Sequence, residues 1–172
     1  VDFGSIVNDR FGRMWIGTPS DGLFMFEQGE LTHWSTDSEL GTSKISSIAI
    51  DSYDRIWLGT PLGIVRYDDA SFQLFDADDG MISSSINTIM ADSQGLIWIG
   101  TDRGVTRYDG HTFTAFSSST LSATPIRSIM EDREGSIWIA TDGKGLLKHV
   151  HSAFLNYGLE DGLSGDMVWS IS

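Results

Sequence analysis

The chain contains no cysteine. That excludes a disulfide scaffold, thiol catalysis and cysteine-based zinc sites, and it leaves the redox compartment open. Proline is scarce, with 3 residues, and the 19 glycines are scattered rather than gathered into a linker. Basic residues are few: 11 Lys and Arg stand against 24 Asp and Glu, a formal net charge of -13. So acidic a surface repels phosphate, which argues against nucleic acid or an anionic membrane surface as a partner. No apolar run approaches the ~18–20 residues of a membrane span, and no secretory leader is visible. The first residue is Val1, as expected for an excised or processed piece. What the chain does have is 40% hydrophobic and 20% charged residues over 172 positions, the balance of a folded domain with a sizeable core.

Its dominant feature is internal repetition. Trp15, Trp57, Trp98 and Trp138 follow one another at 42, 41 and 40 residues, in the phrases MWIGT, IWLGT, IWIGT and IWIAT. An acidic turn precedes each, with Asp9 and Gly12, Asp51 and Asp54, Asp92 and Gly95, and Asp132 and Gly135 at its ends. Three further columns keep a 41-residue step: Phe26, Tyr67, Tyr108 and His149; Leu31, Phe72, Phe113 and Phe154; Trp34, Phe75, Phe116 and Tyr157.

Each unit reads as four short strands, which in the second unit fall at 45–50, 55–60, 63–67 and 71–75. β-Branched and aromatic residues fill these runs, Gly, Asp, Asn and Ser bound them, and no stretch keeps a helical period. Ile97, Trp98 and Ile99 are apolar in succession, the mark of a strand covered on both faces. A four-stranded antiparallel meander recurring every 40 residues or so is a propeller blade. The expected fold is all-β, with 1–172 forming a β-propeller segment. Blades fall at about 3–44, 45–85, 86–125 and 126–166, and 167–172 starts a fifth. Four such units leave two apolar end faces, to be covered by further repeats or by self-association.

The phrase made by Ile86, Ile89, Asp92, Gly95, Ile97 to Thr101, Gly104, Val105, Arg107 to Gly110 and Phe113 resembles the two-component-regulator propeller repeat. The resemblance covers four full units and the start of a fifth. It implies a sensor region of a bacterial signalling protein, lying in the periplasm or otherwise outside the cytoplasm. It also implies further repeats and a signalling output domain in the parent protein, with no direct membrane contact in this segment.

The four tryptophans of the repeated phrase, Trp15, Trp57, Trp98 and Trp138, are expected to pack blade against blade rather than to stack a ligand. The acidic turns, and the stretch with Asp76, Asp78, Asp79 and Gly80, read as structural turns, because neither brings together the six to eight oxygens calcium needs. No metal or cofactor is expected. In an up-and-down blade one rim carries the tight turns, and the other carries variable loops such as 35–44, 76–85, 117–125 and 158–166. Variable loops on a rigid scaffold are where ligands bind. The candidate ligand-binding residues on that rim are Lys44, Asn87, Asp102, Arg103, Arg127, Lys144 and Trp169. Trp169 stands in a column otherwise held by Gly4, Ser46, Asn87 and Arg127. A small molecule or an oligosaccharide is the expected ligand class, and a protein-binding scaffold is the alternative. An enzyme would be a propeller lyase, similar to streptogramin lyases. No Gly-x-Ser-x-Gly elbow or His-Glu-x-x-His is present, and His33, His111, His149 and His151 form no recognisable acid–base set.

Overall fold

The computed structural model describes residues 4–68, 71–116, 121, 123–150 and 153–171. It forms four antiparallel four-stranded sheets, each a simple meander. The first comprises β1 (Ser5–Asn8), β2 (Met14–Gly17), β3 (Leu23–Glu27) and β4 (Glu30–Trp34). The second holds β5 (Ser47–Ile50), β6 (Ile56–Thr60), β7 (Gly63–Tyr67) and β8 (Phe72–Phe75). The third holds β9 (Ile86–Ala91), β10 (Ile97–Thr101), β11 (Gly104–Tyr108) and β12 (Phe113–Phe116). The fourth holds β13 (Ile126–Glu131), β14 (Ile137–Thr141), β15 (Leu146–Val150) and β16 (Ala153–Tyr157). These are propeller blades, and neighbours meet along their first strands, β1 on β5, β5 on β9 and β9 on β13.

The sequence predicted no helix, and the structure adds two single turns of 3-10 helix, Ala77–Asp79 and Leu159–Asp161. The first lies in the connection between the second and third blades, and the second follows the last strand of the fourth. Asp76 caps the first, accepting a hydrogen bond from Asp78 N at 2.8 Å, and Gly80 closes it at φ 102. The acidic stretch is therefore a capped turn whose carboxylates bond their own backbone. Among the described residues no helix is long and apolar enough to cross a membrane, and no group of His, Asp and Glu is placed to hold a metal.

Each junction between blades is an apolar layer. The second-strand tryptophan of one blade faces the isoleucines of the next: Trp15 packs with Ile48, Ile56 and Leu58, Trp57 with Ile86, Ile89 and Ile97, and Trp98 with Ile126, Ile129 and Ile137. These three indoles are at most 1% exposed, and burying each contributes about 2–3 kcal/mol. Trp138 faces the open side of the fourth blade and is only half-buried. The opposite end face, on the first blade, exposes Ile6, Met14, Phe26 and Leu31, whose counterparts one blade on lie inside the junction.

Close approach between blades dictates one residue of the repeated phrase. A Cβ on Gly100 would fall 2.6 Å from methyls of Ile126 and Thr88, so the incoming isoleucine requires the glycine. The threonines that end the second strands are buried locks. Thr60 Oγ1 donates to Gly63 O at 2.9 Å and Thr101 Oγ1 to Gly104 O at 3.0 Å. Residues 166–168 dock on the fourth blade as 43–45 dock on the first. Gly22 N and Gly145 N donate to Ser43 O and Asp166 O, while Ile45 N and Val168 N donate to Thr18 O and Thr141 O.

Candidate functional site: an axial cleft on the variable rim

The starts of β9 and β13, the segments leading into β5 and β9, and the end of β6 wall a cleft of about 310 Å³ at the variable rim, lined by Lys44, Ser46, Thr60, Pro61, Ser85, Ile86, Asn87 and Arg127. Two of these side chains are placed by bulges. Along β9 the pairing passes from Gly100 with Thr88 to Thr101 with Ile86, and along β13 from Ala140 with Ser128 to Thr141 with Ile126. Asn87 and Arg127 are thereby left out of the ladder, and a bulge re-aims the side chain it carries. Single-sequence reading gives no warning of a bulge.

Asn87 Nδ2 donates to Ile126 O of the next blade at 3.0 Å, as Ser46 Oγ donates to Ile86 O at 2.7 Å. Both are therefore clasps between blades as well as cleft walls. Arg127 forms an ion pair with Asp142, and its guanidinium lies 4.8 Å above the Trp169 ring, which is 65% exposed. Among the described residues its buried Nε finds no hydrogen-bond partner. Lys44 is exposed at the other end. The cleft thus carries two cations in a chain of net charge -13, together with amide and hydroxyl groups.

The structure brings Lys44, Asn87 and Arg127 together and attaches Trp169 through Arg127. It leaves Asp102, Arg103 and Lys144 out of the cleft lining, on loops of the same rim. Asp102 accepts from Ser83 Oγ at 2.6 Å. The backbone N–H groups of Arg103 and Lys144 donate to Thr101 Oγ1 and Thr141 Oγ1, both at 3.1 Å, and their side chains are exposed. His151 lies outside the described residues.

The acidic turn hides a lock that turn chemistry alone did not reveal. Asp51 Oδ2 accepts from Trp57 Nε1 at 2.8 Å, while Oδ1 accepts from the N–H groups of Tyr53 and Arg55. The same set recurs at Asp9, Asp92 and Asp132 with Trp15, Trp98 and Trp138. Its signal was the constant six-residue spacing from Asp to Trp. Hydrogen bonds from Trp138 Nε1 and the Ser136 N–H hold the Asp132 carboxyl down to about 2. Burial pushes Asp9 up, yet bonds from Trp15 and Arg13 outweigh it and leave the group below its usual range. The second turn has Asp54 where the others have glycine, and Asp54 takes the left-handed conformation itself at φ 58. Asp is one of the few residues that tolerates that conformation.

Residues 39–61, 80–103 and 120–143 match the two component regulator propeller family. Three of the four repeat units thus carry a match to this family. No curated protein matches the chain in sequence. Among solved structures, the extracellular domain assigned to the hybrid two component system BT3049 of B. thetaiotaomicron is similar over 94% of this chain and 24% of its own, with 28% identity and a TM-score of 0.83. PorZ, a surface component of the type-IX secretion system of Porphyromonas gingivalis, shares the propeller fold over 99% of this chain and 29% of its own, at 18% identity and a TM-score of 0.75. Virginiamycin B lyase from Staphylococcus aureus shares the fold at 13% identity and a TM-score of 0.57, over 90% of this chain and 69% of its own. The propeller repeats described here therefore span about a quarter of the length of the first two relatives.

Proposed function

We propose that this chain is a non-catalytic, ligand-sensing segment of a bacterial signalling receptor, exposed outside the cytoplasm, with further repeats and an output domain in the parent protein. The observation that carries the reading is the 28% identity, along 94% of the chain, to the extracellular domain of a hybrid two component system. The axial cleft is the ligand site. Lys44 and Arg127 favour a ligand bearing carboxylate or another anionic group, and Asn87, Ser46 and Ser85 supply hydrogen bonds to hydroxyls. An acidic oligosaccharide or a small polyhydroxylated acid fits that chemistry. Trp169, held under Arg127, offers a ring face at the cleft's edge.

The test is a thermal-shift and calorimetric panel of neutral and acidic oligosaccharides against this chain. A ligand that binds only the native state raises stability in proportion to RT ln(1 + [L]/Kd). Acidic sugars should shift the melting temperature, and Lys44→Ala together with Arg127→Ala should remove the shift. A panel without any shift, combined with capture of a defined protein on the variable rim, would make the segment an interaction scaffold instead.

A further inference from the structure

The turn rim, opposite the axial cleft, carries a second cavity of about 330 Å³ between the third and fourth blades. Asp92, Leu96, Trp98 and Arg107 form its wall on the third blade, and Glu134 and His149 line the side formed by the fourth. The other blades show what lies on the corresponding Asp–Trp pair. In the first, Arg13 Nε forms an ion pair with Asp9 Oδ2, and the guanidinium lies 5.3 Å over the Trp15 ring. In the second, Arg55 Nε reaches Asp51 Oδ2 at 2.6 Å, with its guanidinium 5.7 Å over Trp57. In the fourth, where Ser136 stands at the position of these arginines, the counterpart of Arg107 reaches in instead: Lys148 Nζ lies 3.6 Å from Asp132 Oδ2 and 4.8 Å over Trp138. The equivalent of Arg13 and Arg55 in the third blade is Leu96.

Asp92 therefore has no ion-pair partner among the described residues, although it is only 9% exposed. Its Oδ1 accepts from Gln94 N and Leu96 N, and its Oδ2 accepts only from Trp98 Nε1, at 2.8 Å. A carboxylate oxygen accepts two hydrogen bonds, so Oδ2 keeps the lone pair that Arg55 takes on Asp51. The cation already present does not block the place. Trp57 carries Arg66 at 5.8 Å together with Arg55, whereas among the described residues Trp98 carries only the counterpart of Arg66, Arg107, at 5.9 Å. The second narrowing is at His149, where the two preceding blades have Tyr67 and Tyr108. Two large side chains are thus replaced by smaller ones at one junction, and the space they leave faces a buried carboxylate and an indole.

We infer that this pocket is a binding site for an alkylguanidinium group, with Asp92 as its counter-ion, the Trp98 ring as its floor and Glu134 at its mouth. The bound group reproduces the Arg55 arrangement: a charge-assisted hydrogen bond to Asp92 Oδ2 and a cation over Trp98. The site stands apart from the axial cleft and does not depend on the sensing role proposed there.

The experiment titrates propylguanidinium into the chain, with the isosteric neutral propylurea alongside, and follows the indole N–H signals by NMR. The Trp98 signal should move saturably with propylguanidinium while those of Trp15 and Trp57 stay, and propylurea should bind at least about tenfold more weakly for want of the charge-assisted bond. Leu96→Arg should supply the missing side chain from within, abolish the response and raise the melting temperature. Lys44→Ala should leave the response unchanged. A blocked arginine, acetylated and methylamidated, distinguishes the source: a response equal to propylguanidinium supports an arginine of a partner protein, and a response to propylguanidinium alone supports a small free guanidino compound. An unmoved Trp98 signal would overturn the inference without recourse to any variant. So would equal binding of propylurea, or undiminished binding by folded Leu96→Arg.

Discussion

The junction between the second and third blades and the junction between the third and fourth are built to one plan, and around the Asp–Trp pair two differences stand out. In the former, Arg55 lies on the Asp51–Trp57 pair, and Tyr108 packs at a tilt 5.5 Å from Trp57 with its hydroxyl donating to Gly110 O at 2.8 Å. In the latter, Leu96 replaces the arginine and His149 replaces the tyrosine, with its ring 5.3 Å from Trp98. The latter holds a pocket of about 330 Å³, and in the former Arg55 and Tyr108 stand at the corresponding positions. The columns that build the scaffold, Asp with Trp and Thr with Gly, recur in all four blades, while the columns that only fill space are free to change. In a repeat protein a site is therefore found by asking which blade has stopped filling itself.

A second contrast, between covered and open faces, carries the largest expected effect. Trp98 is 1% exposed between two blades, whereas Trp138 is half-buried on the open face. Trp98→Ala should cost about 3–5 kcal/mol in urea unfolding, the range for a large aromatic removed from a packed core. Trp138→Ala should cost roughly half as much, because one side of the ring has no blade to lose. Equal costs would mean that another surface covers Trp138 in solution. Gly100→Ala comes next. Its added methyl must displace Ile126 or Thr88 at the junction, at about 1–3 kcal/mol, and the same measurement would show no change if the blades could simply separate.

The blade plan was legible because each strand type leaves its own mark. Strand β7 runs from Gly63 to Tyr67 as the sequence predicted. The first strand of that blade was expected from 45 but begins at Ser47: Ile45 N bonds Thr18 O of the first blade and Ser46 Oγ bonds Ile86 O of the third, while Ser46 N still reaches Gly59 O of β6. The cleft was legible only in part. Loop variability located the rim, and the gathering of Lys44, Asn87 and Arg127 follows from first strands lying side by side. Nothing in the local sequence separates those three from Arg103 or Lys144, whose loops differ only in where their side chains point. The junction pocket was written in the columns as Leu96 for Arg and His149 for Tyr, but those columns gain a meaning only once Arg55 is seen lying on Asp51.

Filling the pocket from the His149 side should have a smaller effect. His149→Tyr restores the ring of the preceding junction and should raise stability by about 0.5–1.5 kcal/mol, the worth of a well-placed aromatic pair. A loss of stability in thermal melts would show that the fourth blade cannot seat a tyrosine there.

The smallest effect concerns pH and follows from the same histidine. Burial holds the His149 imidazole below its usual value of 6.5, and the neighbouring Arg107 guanidinium adds to the shift. Asp92 and Glu134 also line the pocket it faces, without reversing that direction. Below 6.5 the unfolded chain takes up a proton on this side chain that the native junction resists, so acidification favours unfolding. The contribution of His149 to stability is thus intact above that pH, declines as pH falls through it, and levels off below the native value. Asp132 does not interfere, because its window lies lower, between 3.8 and about 2. The melting-temperature advantage of His149→Tyr over the native chain should therefore grow between about pH 7.5 and about pH 5.5, the interval in which only histidine titrates by default. An advantage that stays constant across that interval would mean that His149 takes up its proton as readily in the folded junction as in the unfolded chain.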